Sequence, residues 1–172
     1  MAEKLKIYTY PDPILREVSR PVENIDENTQ RLIDSMAETM YSAPGIGIAA
    51  IQVGEPVRLI VYDVSSREGE RNPKVLINPE IIETEDTIVY SEACLSVVEF
   101  SADVERSARV RIKGIDRHGN PLDIEAEDLE AVCLQHEIDH LNGVLFIDHI
   151  STLKRSLYKK KLKKIMERQA SR

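Results

Sequence analysis

The sequence has few cysteines, no long apolar run and no targeting signal. In a cytosolic chain, its two cysteines, Cys94 and Cys133, favour free thiols, metal ligands or core residues over a disulfide. The N-terminus, from Met1 to Leu5, lacks the charged-then-apolar pattern of a signal peptide, and no apolar run approaches membrane-spanning length. We therefore expect a cytoplasmic protein without a membrane segment.

Length and composition are those of an ordinary globular chain, but the charge is unevenly distributed. The 172 residues, 42% hydrophobic and 31% charged, predict one domain covering residues 1–172. The net charge is −7, yet residues 154–172 carry nine Lys or Arg against a single acid, Glu167. The basic segment 153–172 is either a solvated face that offsets an acidic body or an attachment to RNA.

Periodicity predicts an α+β fold, with antiparallel β-sheets packed around a central helix and with a C-terminal helix. A first helix is expected to begin near Asp26 and to bury Ile33, Met36 and Met40. The central helix, which carries the candidate metal-binding residues described next, should begin at Glu127 or Asp128. Strands are expected at 57–64, 75–77, 104–114, 122–125 and 144–147. The strand at 75–77 should be broken by Asn78-Pro79 and resume to residue 90. A final helix should run from Ser151 or Thr152 to about 168. That last helix should bury Tyr158, Leu162, Ile165 and Met166.

The stretch QHEIDHLNG, residues 135–143, is the strongest candidate for chemistry. On a helix, His136 and His140 lie one turn apart on the same face and can bind one metal ion. Glu137 lies beside the first histidine, placed to take a proton from a water molecule at the metal. Gly143 is the expected left-handed C-cap. The alternatives are that both histidines are packed core residues and that the pattern arose by chance.

A third metal ligand is needed, and the residues after His140 offer none at suitable spacing. His149 lies beyond the end of the helix, so the natural candidate is Cys94, within SEACLS at 91–96. Cys133 lies one turn before His136 and by spacing alone rivals Cys94, although a cysteine there is often a small buried apolar residue. A thiolate with two imidazoles binds iron, zinc, cobalt or nickel.

The glycine-containing segment PGIGIAAIQVG, residues 44–54, lacks the strand and third glycine of a dinucleotide-binding loop. Its small residues allow a close backbone approach, and Gln52 is the one side chain in it with an amide to direct. A plain turn entering a strand and a functional loop remain equally open on these residues.

Three motifs together, GIGIAAIQ at 45–52, EACLS at 92–96 and QHEIDH at 135–140, resemble the signature motifs of the peptide deformylases in order and spacing. The resemblance implies a metal-dependent hydrolase that removes the formyl group from the N-terminal formylmethionine of new polypeptides. It implies Cys94, His136 and His140 as metal ligands and Glu137 as general base and acid. The side-chain amide of Gln52 and the backbone N–H of Leu95 would stabilise the oxyanion.

The resemblance also implies a substrate site, a metal and partners. An apolar pocket for methionine would be formed by Ile46, Ile88, Leu129, Val132 and Cys133, and the backbone of Ile46 and Gly47 would pair with the peptide. The expected metal is Fe²⁺, with Zn²⁺, Ni²⁺ or Co²⁺ possible in a purified sample. The expected partners are the nascent formylmethionyl polypeptide and the ribosome, the latter through the basic segment 153–172.

Three positions depart from the family pattern, at Ala93, Val98 and Ser101. Ala93 replaces a glycine and would be strained if the position needed a positive φ. Ser101 replaces an arginine that steadies the peptide, and Arg106 is expected to have a structural role instead. Two alternative functions remain: a zinc endopeptidase of the HExxH type, and an RNA- or ribosome-binding protein with a structural metal.

Overall fold

The computed structural model describes residues 2–65 and 68–172. In this part of the chain, three α-helices accompany one antiparallel sheet whose five strands follow in chain order. The helices are α1 (Glu27–Ser42), α2 (Asp128–Leu141) and α3 (Thr152–Ala170), and the strands are β1 (Gly47–Ala49), β2 (Leu59–Tyr62), β3 (Lys74–Cys94), β4 (Val97–Ile115) and β5 (Pro121–Glu127). Short 3₁₀ helices cover Pro13–Arg16, Ala50–Val53 and Phe146–His149. The predicted α+β class is confirmed.

The central position of α2 follows from its composition. Apolar side chains occur on all of its faces, which is typical of a helix enclosed by the rest of the fold. Leu134, Ile138 and Leu141 pack against the sheet residues Ile60 and Ile112. Helix α2 is therefore packed on several sides, which fixes the positions of its polar residues.

Strand β2 is buried on both faces, so its side chains belong to the apolar clusters on both sides of the sheet. Side chains alternate along a strand, so Ile60 and Tyr62 enter the cluster around α2. Leu59 and Val61 face the opposite cluster, which α1 completes. Helix α1 begins as predicted, with the Asp26 carboxylate accepting a hydrogen bond from the Thr29 N–H at 3.0 Å.

Helix α2 ends as the sequence predicts, at a left-handed glycine. Gly143 has φ +73°, and a Cβ there would lie 2.5 Å from the carbonyl oxygen of Arg16. Arg58 donates to the carbonyl oxygen of Leu141 at 3.2 Å, and Arg16 donates to that of Gly143 at 3.1 Å. Arg58 thus satisfies the last carbonyl group of the helix, and both cations lie at its negative end, where positive charge is favourable.

Two predictions for the strands were wrong. Asn78-Pro79 does not interrupt β3 but forms a bulge in one continuous strand, with Asn78 at φ +52°. The Asn78 side chain stabilises this bulge by accepting from the Val22 N–H at 2.8 Å and donating to the Val22 carbonyl at 3.0 Å. Residues 144–147 do not form a strand either; the 3₁₀ helix Phe146–His149 takes their place.

Helix α3 packs along one face of the molecule, as its apolar spacing predicts. Its N-cap is Ser151, and Tyr158, Leu162 and Ile165 are buried, whereas Met166 is 47% exposed, contrary to expectation. Across residues 2–65 and 68–172, no helix combines the length and the apolar character that crossing a membrane requires.

Candidate metal centre and active site

Three potential metal ligands meet where β3 ends beside α2. The donor atoms of Cys94, His136 and His140 all lie within 4.8 Å of one another. The Cys94 Sγ is 3.3 Å from the His140 Nε2, and the two imidazole rings are 5.0 Å apart in an edge-on arrangement. Cys133 is not part of this cluster. The alternative that both histidines are ordinary core residues therefore loses its support, because a thiol converges on them.

The donor set fits a divalent transition metal. One sulfur and two ring nitrogens are the ligands that zinc and iron accept in catalytic sites with a remaining open position. The Nε2 of His140 is the ring nitrogen that faces the Cys94 Sγ, at 3.3 Å, so it is the nitrogen placed for a metal. Burial lowers the pKa of His140 well below its usual value, so the ring stays neutral, as a metal ligand must be.

A carboxylate and an arginine hold His136 in place. The Glu92 Oε1 lies 2.8 Å from the His136 Nδ1, so the Nε2 is the nitrogen left for a metal. Arg106 donates two hydrogen bonds to Glu92, at 2.7 and 2.9 Å, and one to Asp139 at 2.6 Å. Burial would raise the pKa of Glu92, but the hydrogen bonds from Arg106 and His136 outweigh it and lower that pKa. The structural role expected for Arg106 is confirmed.

Glu137 is a buried carboxyl group directed at the cavity. Its exposed fraction is 4%, and its Oε2 has no hydrogen-bond partner among the residues that the structure describes. The Oε1 is 3.9 Å from the His136 Nε2. Burial raises the pKa of Glu137 to about 7, where a carboxyl group can both accept and return a proton at neutral pH.

The side-chain amide of Gln52 is held in a defined orientation by three hydrogen bonds. Its Oε1 accepts from the Ala49 N–H at 2.9 Å, and its Nε2 donates to the Ser96 Oγ at 3.0 Å and to the Cys94 Sγ at 3.7 Å. The two hydrogens of the amide nitrogen therefore point to the hydroxyl and to the thiol. Leu95 lies in the two-residue turn between β3 and β4, immediately after Cys94.

An apolar cavity of about 420 Å³ opens beside these groups. Its lining includes five of the six predicted substrate-site residues, namely Ile46, Gly47, Leu129, Val132 and Cys133. A Cβ on Gly47 would lie 2.9 Å from the Cys133 Sγ and 3.1 Å from the Glu137 Oε1. Any residue larger than glycine would therefore crowd this part of the cavity. Burial raises the pKa of Cys133, which keeps its thiol neutral.

Comparison with known proteins decides the family. A family model for polypeptide deformylase matches residues 4–156. A peptide deformylase of Mesorhizobium japonicum is 56% identical over 161 residues, which cover 93% of this chain and 92% of the relative. The chain belongs to the peptide deformylase family.

Solved structures of deformylases have the same fold. The crystal structure of a peptide deformylase from Legionella pneumophila matches with a TM-score of 0.91 and 43% identity, covering 98% of this chain and 99% of that one. A peptide deformylase from Ehrlichia chaffeensis in complex with actinonin matches with a TM-score of 0.88 and 38% identity, covering 94% and 97%.

Membership of the deformylase family establishes the type of reaction. Peptide deformylases are metal-dependent hydrolases that remove the N-formyl group from formylmethionine at the start of new polypeptides, so the protein is an enzyme with formylated peptides as its substrate class. The endopeptidase and the RNA-binding protein with a structural metal, the two alternatives left open by the sequence, are therefore set aside.

The structure changes three details of the sequence-based site. Ile88 is outside the cavity lining; the lining residue is Tyr90, two positions further along the same face of β3. Ser96, to which no role was assigned, holds Gln52. Ala93 is not among the non-glycine residues with positive φ, so the alanine is not strained.

Proposed function

We propose that this protein hydrolyses the N-formyl group of formylmethionyl peptides with one divalent metal ion held by Cys94, His136 and His140. The observation that carries the proposal is the convergence of these three donors beside Glu137 and an apolar cavity. A bound metal ion would lower the pKa of a water molecule at the site and polarise the formyl oxygen. We expect Fe²⁺ from the family resemblance, and Zn²⁺, Ni²⁺ or Co²⁺ can occupy the same donor set.

Glu137 acts as general base and then as general acid. It takes a proton from the water molecule as the water oxygen attacks the formyl carbon. It then gives that proton to the amine nitrogen as the carbon–nitrogen bond breaks, which leaves formate and a free N-terminal methionine. A carboxyl group whose pKa is about 7 is suited to both transfers.

Gln52 and Leu95 stabilise the oxygen of the formyl group as negative charge develops on it. The proposed donors are the backbone N–H of Leu95 and the Gln52 amide hydrogen that points to the Cys94 Sγ, which would turn from the sulfur to the substrate oxygen. Ser96 keeps the Gln52 amide from turning away, since its Oγ accepts the other hydrogen. Losing a donor of this kind costs about 2.7–4 kcal/mol of transition-state stabilisation in comparable hydrolases.

The apolar cavity takes the methionine side chain, with Ile46, Leu129, Val132 and Cys133 on its walls. Strand β1 is at the edge of the sheet, paired with β2 on one side. The peptide would pair as an added strand with this edge at Ile46 and Gly47, where the Ile46 carbonyl already accepts from the Asp63 N–H at 2.8 Å.

Helix α3 is the proposed attachment to the ribosome, in the cytoplasm. Its lysines are exposed while Tyr158 and Leu162 are buried, so most of the positive charge of the segment faces solvent. Phosphate groups of RNA would attract this face in a salt-dependent manner. Reversing the charge at Lys160 and Lys164 should weaken cosedimentation with ribosomes, and undiminished salt-dependent binding would disprove this attachment.

The direct test of the function is formate release from a formyl-Met dipeptide, with the metal content of each sample quantified. The Glu137→Gln variant should lose about 100-fold or more of turnover while it keeps its metal, because general acid–base catalysis contributes about this much. Glu130→Gln, on the same helix but outside the cavity lining, is the control and should remain active. Wild-type turnover by Glu137→Gln, or internal peptide cleavage without formate, would overturn the proposal.

A further inference from the structure

A column of aromatic rings links α3 to the His136 ring. The sequence has only two phenylalanines, and both belong to it. His136 lies over Phe146 at 6.0 Å and 27°, Phe146 over Phe100 at 5.9 Å and 20°, and Phe100 over Tyr158 at 4.5 Å and 23°. These centroid distances fall in the range of favourable aromatic pairs. We call Phe146, Phe100 and Tyr158 the ring column.

The ring column restrains a rotation of the His136 ring that the hydrogen bond to Glu92 does not prevent. A single hydrogen bond at Nδ1 holds one edge of the His136 ring, but the ring can still rock about that edge. The face of Phe146 blocks the rocking, and Phe146 cannot move because it is 1% exposed and packed against Phe100. Tyr158 is also 1% exposed, and the Tyr10 ring lies beyond it at 6.4 Å and 34°.

The same helix holds the chain just beyond the thiol. The Tyr158 hydroxyl donates to the Val98 carbonyl at 3.2 Å, and the Lys161 ammonium donates to the Glu99 carbonyl. Glu99 has φ +53°, a conformation that a non-glycine residue adopts only when its surroundings hold it. This segment follows directly on the turn after Cys94. Helix α3 thus contacts the surroundings of two of the three proposed ligands.

We propose that Tyr158 is a positioning residue of the metal centre, which fixes the plane of the His136 ring through Phe100 and Phe146. The C-terminal helix then controls how long the metal stays bound. This inference rests on the metal ligands assigned under the proposed function. Tyr158 lies two residues beyond the segment 4–156 that the family model matches.

The experiment measures release of Ni²⁺ from the loaded, full-length protein to an excess of a chromogenic chelator. Tyr158→Leu removes the ring and keeps the site apolar, whereas Tyr158→Phe keeps the ring and removes only the hydroxyl. Leu162→Ala is the matched control, since Leu162 is buried on the same helix in the same apolar cluster but is not part of the column. Thermal unfolding of each metal-free variant reports its general loss of stability.

Tyr158→Leu should release Ni²⁺ about 2- to 10-fold faster than the wild type, as loss of one aromatic contact implies. Tyr158→Phe should release it more slowly than Tyr158→Leu, because it loses the hydrogen bond to Val98 but keeps the ring. Leu162→Ala should release it at the wild-type rate despite its lower unfolding temperature. If Tyr158→Leu does not fold, Phe100→Leu, at a half-buried position, should show the same acceleration. Equal acceleration in Leu162→Ala, or none in either column variant, would overturn the inference.

A Cys94→Ser variant separates this inference from the proposed function. If Cys94→Ser binds Ni²⁺ as tightly as the wild type, the ligand assignment fails and the inference with it. If Cys94→Ser loses its Ni²⁺ while Tyr158→Leu releases it at the wild-type rate, only the role of Tyr158 is disproved.

Discussion

Replacing Arg106 by methionine should destabilise the protein more than any change of an exposed arginine. The side chain of Arg106 is 5% exposed and bonds to Glu92 and Asp139 at once. Methionine retains most of the apolar stem but removes both Arg106 hydrogen bonds from the buried Glu92 carboxylate, which keeps only His136 as a partner, at 2.8 Å. His149 lies 2.8 Å from Asp139 and can partly compensate there, so the main penalty arises at Glu92.

The magnitude follows from the burial of the pair. Removing one partner of a buried ion pair costs about 3–5 kcal/mol, because the remaining charge is left uncompensated in a poorly solvated site. The free energy of unfolding of a small domain totals about 5–15 kcal/mol, so the loss is a large share of it. Adding Glu92→Gln to Arg106→Met should recover about 1–2 kcal/mol, since the amide oxygen still accepts from the His136 Nδ1 without a stranded charge.

Urea unfolding of the metal-free protein measures these differences without a contribution from metal binding. Arg109→Met is the matched control: it lies on the same strand, is 57% exposed and contacts its acidic partners at 3.7 and 3.8 Å. Its cost should stay near or below about 0.5 kcal/mol. A cost below about 1 kcal/mol for Arg106→Met would show that Arg106 does not compensate a buried charge on Glu92. A double variant no more stable than the single one would show the same.

Three further predictions concern the active site and the loop beside it. Ser96→Ala should lower kcat about 10- to 100-fold with little change in KM, because the Gln52 amide loses its orientation; an unchanged kcat would contradict this. Gly47→Ala should lower formate release while circular dichroism stays unchanged, because the new methyl group meets Glu137 at 3.1 Å; wild-type release would contradict it. Burial raises the pKa of Asp63, but hydrogen bonds from Ser65 and Tyr41 outweigh it and lower that pKa to about 2. Asp63→Asn should therefore cost about 1–2 kcal/mol at pH 7, and the difference should disappear as the pH falls from about 4 to 2; a difference independent of pH would exclude this cause.

Local patterns predicted the helices and their ends well. The Asp26 cap, the Gly143 C-cap and the buried residues of α1 depend on contacts within a turn or two, which spacing alone reveals. The bulge at Asn78 could not be predicted in this way, since its partner Val22 lies 56 residues away in the chain. The strand predicted at 144–147 is wrong for a different, local reason. The backbone there is turned by Asp148, whose carboxylate accepts from the Leu145 N–H at 2.9 Å, and apolar periodicity does not detect this polar contact.

In the candidate site too, the sequence predicts contacts within a turn of a helix but not contacts between distant segments. The spacing of His136 and His140 indicates a shared face, but nothing in the spacing selects Cys94 over Cys133, and the family resemblance was needed for that choice. The sequence places Glu92 in the EACLS motif but does not reveal its hydrogen bond to His136. Tyr90 and Ile88 lie on the same face of β3, so only the position of the cavity along the strand distinguishes them.

X-ray absorption spectroscopy of the zinc-loaded protein shows directly whether Cys94, His136 and His140 bind the metal. We predict one sulfur ligand at about 2.3 Å and two nitrogen ligands at about 2.0–2.1 Å, with a lighter atom completing the shell. The sulfur signal should vanish in Cys94→Ala and persist in Cys133→Ala. A sulfur ligand that survives in Cys94→Ala, or a shell of four protein ligands, would contradict the account.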